Sequence, residues 1–150
     1  MASCVHTVNQ DCACIAHPLS ADPDAALFIV LDGHGKHGHR VSSEALHRIH
    51  EFLDDCAWEG DFATSEAQFV TAFEQAEERL KSFDCDDKGR PAAMSSGAVG
   101  VSVLLRWGVL WTAHVGDCRA VLGRAGLFGD MEAVALTEDH VRCVPDTLPL

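Results

Sequence analysis

Residues 31–40 read LDGHGKHGHR and place one carboxylate, three glycines and three imidazoles directly after the apolar run ALFIV. A carboxylate at the end of a buried strand must be hydrated, paired or bound to a cation, because burying a bare charge is costly. Asp32 is therefore a candidate ligand for a hard cation, with the backbone carbonyl of Gly33 as a second oxygen donor beside it. Gly33 and Gly35 permit close backbone approach or positive φ. Asp-Gly is equally a turn dipeptide, so these residues alone leave turn and ligand open. His34, His37 and His39 are spaced H-x2-H-x-H, which is not a standard structural zinc pattern. A zinc-binding loop rests on those residues only.

The flanking sequence predicts the elements that must position this segment. Ala26–Leu31 is a continuous apolar run with a Gly-rich exit, which predicts a buried strand. Cys12–Ala16 is its hairpin partner, across a loop with Pro18, Asp22 and Pro23. Over Gly38–Asp55, Val41, Ala45, Leu46, Ile49, Phe52 and Leu53 fall near one helical face. Residues 65–83 predict a second helix, with Phe69, Val70, Phe73, Ala76, Leu80 and Phe83 as its stripe and Ser65 as its cap. The period then changes. Gly97–Leu105, Val109–Val115 and Arg119–Leu122 predict three consecutive strands in an antiparallel meander, and Ala133–Leu136 a weak fourth. Strands, then two helices, then strands predict an α+β fold, a helix-flanked antiparallel β-sandwich rather than a doubly wound sheet.

Bulk properties narrow the function. The 150 residues carry 23 acidic and 11 basic side chains, a net charge of −12. That balance argues against nucleic acid or an anionic membrane as the main partner, since both require a basic surface. It suits a site that gathers cations. No stretch approaches the ~20 apolar residues of a membrane span, and MASCVHTVNQ lacks the basic and apolar regions of a signal peptide. The seven cysteines are odd in number and form no C-x-x-C pair, so reduced thiols in an intracellular protein, cytoplasmic and/or nuclear, are expected. Cys118–Arg124 fits the C-x5-R spacing of cysteine-dependent phosphatases. The residues between read as a strand, whose amides are engaged and cannot cradle a phosphate.

Three separated segments carry a family resemblance. They are Asn9-Gln10-Asp11; Asp32-Gly33-His34-Gly35 with Gly38-His39 and Val41-Ser42; and Ser96-Gly97, Ala113–Leu122 (AHVGDCRAVL) and Leu136–His140 (LTEDH). In this order and spacing the chain resembles the type 2C metal-dependent protein Ser/Thr phosphatases (the PPM family), particularly the plant-like branch. The resemblance implies a helix-flanked β-sandwich holding two Mn2+ or Mg2+ ions, and hydrolysis of phosphoserine and phosphothreonine in protein substrates without a protein nucleophile. It implies that Asp32 bridges the metals and that the Gly33 carbonyl binds one. Gln10 and Asp11 fall on the family's N-terminal acidic pair, Gln10 contributing a water-mediated contact and no charge. His34 is implied to protonate the leaving alkoxide, a task that suits an imidazole. Asp117 matches an aspartate associated with an additional metal.

The sequence also departs from that pattern. The family's basic phosphate contact falls on His6, and a neutral imidazole binds phosphate less well than Arg or Lys. The resemblance covers the N-terminal part of the catalytic domain, with residues 141–150 a divergent tail. The family's later DG and DN carboxylates do not occur in these 150 residues, and the sheets are expected to keep open edges. Asp32, Asp117 and Asp11 are then the carboxylates available to a metal. The isolated chain is expected to bind Mn2+ or Mg2+ weakly, with little or no turnover. The alternative is a catalytically dead phosphatase-fold fragment acting as a binding or regulatory module.

Overall fold

Burial along the second strand alternates from Leu27 to His34, and that alternation organises the fold. The computed structural model describes residues 8–20, 22–58, 61–84, 88–126 and 129–140. Strands β1 (Cys12–Ala16), β2 (Ala26–Gly35), β3 (Ser96–Arg106) and β4 (Val109–Val115) form one antiparallel sheet in the order β1-β2-β3-β4. On β2, Leu27, Ile29 and Leu31 are buried while Phe28 and Val30 are exposed. The period of two therefore separates an inner face from an outer one. Helix α1 (Gly38–Asp54) covers the inner face with Val41, Ala45, Ile49 and Leu53. Helix α2 (Phe62–Leu80) packs chiefly on α1. The fold is α+β, as expected.

Three expectations change in detail. The strand placed at Ala26–Leu31 runs on to Gly35, because β3 continues the ladder through His34↔Gly97 and Gly35↔Ser96. Asp32 thus lies within the strand and not beyond it. The second helix starts earlier than position 65. Asp61 is its N-cap, its carboxylate accepting from the Thr64 amide at 2.8 Å. Aspartate satisfies one of the free amides of a helix start, whereas Ser65 is buried one turn in, its hydroxyl donating to the Asp61 carbonyl. Finally, the meander breaks after β4. Strand β5 (Val121–Ala125) pairs with β6 (Met131–Ala135) as a separate two-stranded sheet. Gly116, at φ 83°, turns the chain out of β4. Leu136 and Thr137 then hold Ala120 through its carbonyl and amide, at 2.9 and 3.0 Å.

The β3–β4 hairpin turns on Trp107 and Gly108, both with positive φ (51° and 74°). That is the backbone a two-residue hairpin requires. Arg106, just before the turn, lays its guanidinium 3.5 Å from the Trp107 ring centroid. It also pairs with the buried Asp22 carboxylate and donates to the Trp58 carbonyl.

The two helices are tied by Glu44 of α1, which accepts from Arg79 of α2 at 2.8 Å and from Arg48 at 3.3 Å. Burial alone would raise the Glu44 carboxyl, but the two guanidiniums outweigh it and the net direction is down. A depressed folded-state pKa contributes stability that is present above the unfolded carboxylate range and lost as pH falls through the folded value. Thermal denaturation should therefore show wild type more stable than Glu44→Gln at neutral pH. The gap should close as pH drops below the usual carboxylate range, and a gap independent of pH would contradict the pairing.

Candidate metal-binding and phosphate-chemistry site

Asp32 stands opposite Val99 on β3, Gly33 opposite Ala98 and His34 opposite Gly97. Alternation sends Asp32 and His34 to the outer face, where both are exposed, and Gly33 to the buried inner side. The Gly33 amide donates to the Gln10 carbonyl at 3.2 Å, and the Ser42 hydroxyl of α1 donates to the same oxygen at 2.7 Å. The Gln10 side-chain amide donates to the Gly35 carbonyl at 2.9 Å. A Cβ on Gly38 would collide with Gln10 Oε1. Gln10 thus braces the strand exit against the start of α1.

These contacts make Gly33 irreplaceable by ordinary residues. A Cβ there would lie 2.5 Å from the Gly38 carbonyl oxygen and 2.6 Å from that of Gln10. Both obstacles are backbone, so neither yields without moving an element. Gly33→Ala is expected to cost about 1–3 kcal/mol, the range of overpacked cores, read from urea denaturation. Gly97→Ala is a useful contrast. Its Cβ would press on the His34 ring, 2.7 Å from Nε2, and an exposed side chain can swing aside. A smaller loss of stability is expected there, with His34 displaced. Equal losses for the two variants would contradict this account.

Asp11 lies just before β1, its amide donating to Asn9 Oδ1 at 3.1 Å. Asp117 lies in the turn after β4. Strand register (Cys12↔Leu31, Leu31↔Gly100, Gly100↔Val115) sets Asp11 and Asp117 at the same end of the sheet as Asp32, with the Cys118 thiol directly after Asp117. Burial pushes that thiol above the ordinary cysteine range; a hydrogen bond with the Asp32 backbone pulls it down, and the charges of Asp32, Asp117 and Asp11 push it up further. The three aspartates come from distant parts of the sequence. Among the described residues no Lys, Arg or His lies within ion-pair distance of any of them.

The LTEDH segment supports the turn that carries Asp117. The His140 amide donates to the Gly116 carbonyl at 2.8 Å, and the His140 ring stacks on His114 at 4.2 Å. Arg119 clamps Asp139 with two bonds of 2.7 and 2.6 Å. That guanidinium holds the Asp139 carboxyl below its usual range. Asp139 is thereby occupied.

The three loop histidines diverge. His34 lies on β2, His37 caps α1 with its amide donating to Ser96 Oγ at 2.7 Å, and His39 enters the first turn of α1. Among the described residues no three His, Cys, Asp or Glu side chains converge to hold a metal. The donors present do not fit a closed zinc cage, which needs four convergent ligands. They fit a magnesium-like ion, which is held by one or two carboxylates and keeps several waters. His6 and the tail 141–150 lie outside the described residues.

Sequence reasoning overlooked the supporting roles of Ser42, Ser96 and Gly38. All three fall within or beside the segments that carried the family resemblance. Their signal was position alone, because a serine that bonds a distant carbonyl has no local signature. The cysteines among the described residues, 12, 14, 56 and 118, are free thiols.

The described residues form an α+β unit in which a helical layer covers a four-stranded antiparallel sheet. The sequence profile described as protein phosphatase 2C matches residues 1–142, and the chain belongs to that family. It is 34% identical over 141 residues to the probable protein phosphatase 2C 64 of Oryza sativa subsp. japonica, covering 92% of this chain and 32% of that protein. It is 33% identical to the probable protein phosphatase 2C 72 of Arabidopsis thaliana, covering 92% and 42%. Among solved structures, the Mycobacterium tuberculosis serine/threonine phosphatase PstP/Ppp superposes with a TM-score of 0.66 at 22% identity, covering 91% of this chain and 50% of that one. A PstP catalytic domain in complex with two manganese ions gives 0.59 at 21% identity, covering 91% and 51%. The chain thus spans roughly a third to two fifths of these curated relatives. Among the described residues, no helix is long and apolar enough to cross a membrane.

Proposed function

We propose that this chain carries the N-terminal share of a site for metal-assisted hydrolysis of phosphoserine and phosphothreonine in protein substrates, in an intracellular (cytoplasmic or nuclear) setting. The observation that supports the reading is the strand register that sets Asp11, Asp32 and Asp117 at one end of the sheet, with His34 exposed beside them. Asp32 and the Gly33 carbonyl would hold Mn2+ or Mg2+, with Asp11 and Asp117 as supporting ligands. A bound pair of such ions supplies acidified water and a clamp on the attacking and leaving oxygens of an in-line displacement. His34 would donate the proton that the departing Ser or Thr oxygen needs. His6 would give a weak phosphate contact. Gln10 orients the loop through its bond to Gly35.

A specific observation favours a second reading. The described donors do not close around a metal by themselves, which fits a binding or regulatory module with the phosphatase fold. Hydrolysis of a phosphothreonine peptide with and without Mn2+ separates the two. Metal-dependent turnover that disappears in His34→Ala supports an active half-site. A folded chain with no turnover, yet with Mn2+ binding that depends on Asp32, supports the module. Zinc binding that survives Asp32→Ala and fails on replacing His37 and His39 would overturn both.

A further inference from the structure

Because α2 packs chiefly on α1, it leaves an open groove of about 780 Å³ between itself and the β3–β4 half of the sheet. That volume lies within the range of built binding sites. Phe73, Leu80, Trp111 and Ala113 contribute to its apolar wall, and all four are only partly buried. Val70, also in the lining, is 49% exposed. The charged side chains in the lining are all acidic: Glu66, Glu74 and Glu77, with no Lys or Arg among them. No cation among the described residues lies within ion-pair distance of these three. They sit on one helix, and eleven residues of helical rise spread them over about 17 Å.

We propose that this groove docks a basic amphipathic helix from a partner protein. An apolar trough walled by a helix and a sheet suits a helix whose apolar face presents residues at i, i+3, i+4 and i+7. Three carboxylates over that length call for several cations in a row, more than one compact ligand carries. A strand added to the open edge of β4 would satisfy backbone groups but would leave the glutamates unanswered. The inference concerns binding alone and stands whether or not the proposed hydrolysis occurs.

The test is fluorescence anisotropy with labelled peptides of about five helical turns, titrated with the 150-residue chain. A Leu/Lys peptide patterned for a helix is expected to bind, and its Leu/Glu counterpart is not. Glu66→Gln, Glu74→Gln and Glu77→Gln combined should weaken binding at least tenfold; these side chains are exposed, so the fold should tolerate the change. Val70→Asp should weaken it independently. Equal binding of the acidic peptide, or no effect of the triple variant, would overturn the proposal. So would stronger binding of a strictly alternating Leu/Lys strand peptide. Self-association of the chain that Val70→Asp abolishes, seen by sedimentation without peptide, would assign the groove to a second copy instead.

Discussion

Mn2+ binding by this chain is expected to fall below detection in Asp32→Ala, measured by the loss of free-ion signal in electron paramagnetic resonance. Asp32 is the candidate ligand on a rigid element, pinned in the β2–β3 ladder opposite Val99. Asp11 and Asp117 sit outside the strands and can only reinforce it. Wild-type binding should be weak, because a hard divalent ion here keeps most of its waters. The single substitution should still cost more than tenfold, or over about 1.4 kcal/mol. Asp117→Ala should weaken binding less, and replacing His37 and His39 together should leave it unchanged. Loss of the nearby charges has a second readout. The Cys118 thiol, held up in part by the fields of Asp32, Asp117 and Asp11, should react faster with a thiol reagent at neutral pH in Asp32→Asn, provided its burial is unaltered. Unchanged Mn2+ titrations in Asp32→Ala would remove Asp32 from the site.

Arg106→Ala should be the most destabilising single change away from the site. Arg106 and Asp22 form an ion pair whose side chains are 12% and 6% exposed. Removing the guanidinium strands a carboxylate in a dry environment, and also costs the Trp58 carbonyl its donor and the Trp107 ring its cation. Breaking a buried pair from one side costs about 3–5 kcal/mol, a large share of the roughly 5–15 kcal/mol that holds a domain together. Denaturant midpoints should fall accordingly with little change in slope. Asp22→Asn combined with Arg106→Leu should recover part of the loss, because no unpaired charge remains. A loss under about 1 kcal/mol for Arg106→Ala would mean that Asp22 finds water or another donor.

The strands and helices were legible because their side chains repeat. Ala26–Leu31 is apolar throughout, and the stripe from Val41 to Leu53 recurs at helical spacing. The extension of β2 to Gly35 was not legible, since Asp-Gly-His-Gly carries little strand propensity and is held by its partner β3. The pairing of β5 with β6 was hidden for a similar reason. Arg119–Leu122 looks equally ready to join β4, and only the turn at Gly116, with Leu136 and Thr137 on Ala120, diverts it. The start of α2 was missed because Asp61 caps through its side chain, ahead of any apolar period.

For the site, residue type and order sufficed to nominate Asp32, Gly33 and His34, because a carboxylate and glycines after an apolar run are unusual and chemically pointed. Family membership followed from motif order as well. Convergence did not. Asp11 and Asp117 lie 106 residues apart, and only the β1-β2-β3-β4 order carries them to one end of one sheet. Gln10 changed character in the same way, from a neutral stand-in for an acid to the brace between Gly33, Gly35 and Ser42. Local sequence determines which side chains are available and which face of an element they take. Whether those faces meet depends on strand pairing and helix packing, which are set by contacts between residues far apart in the chain.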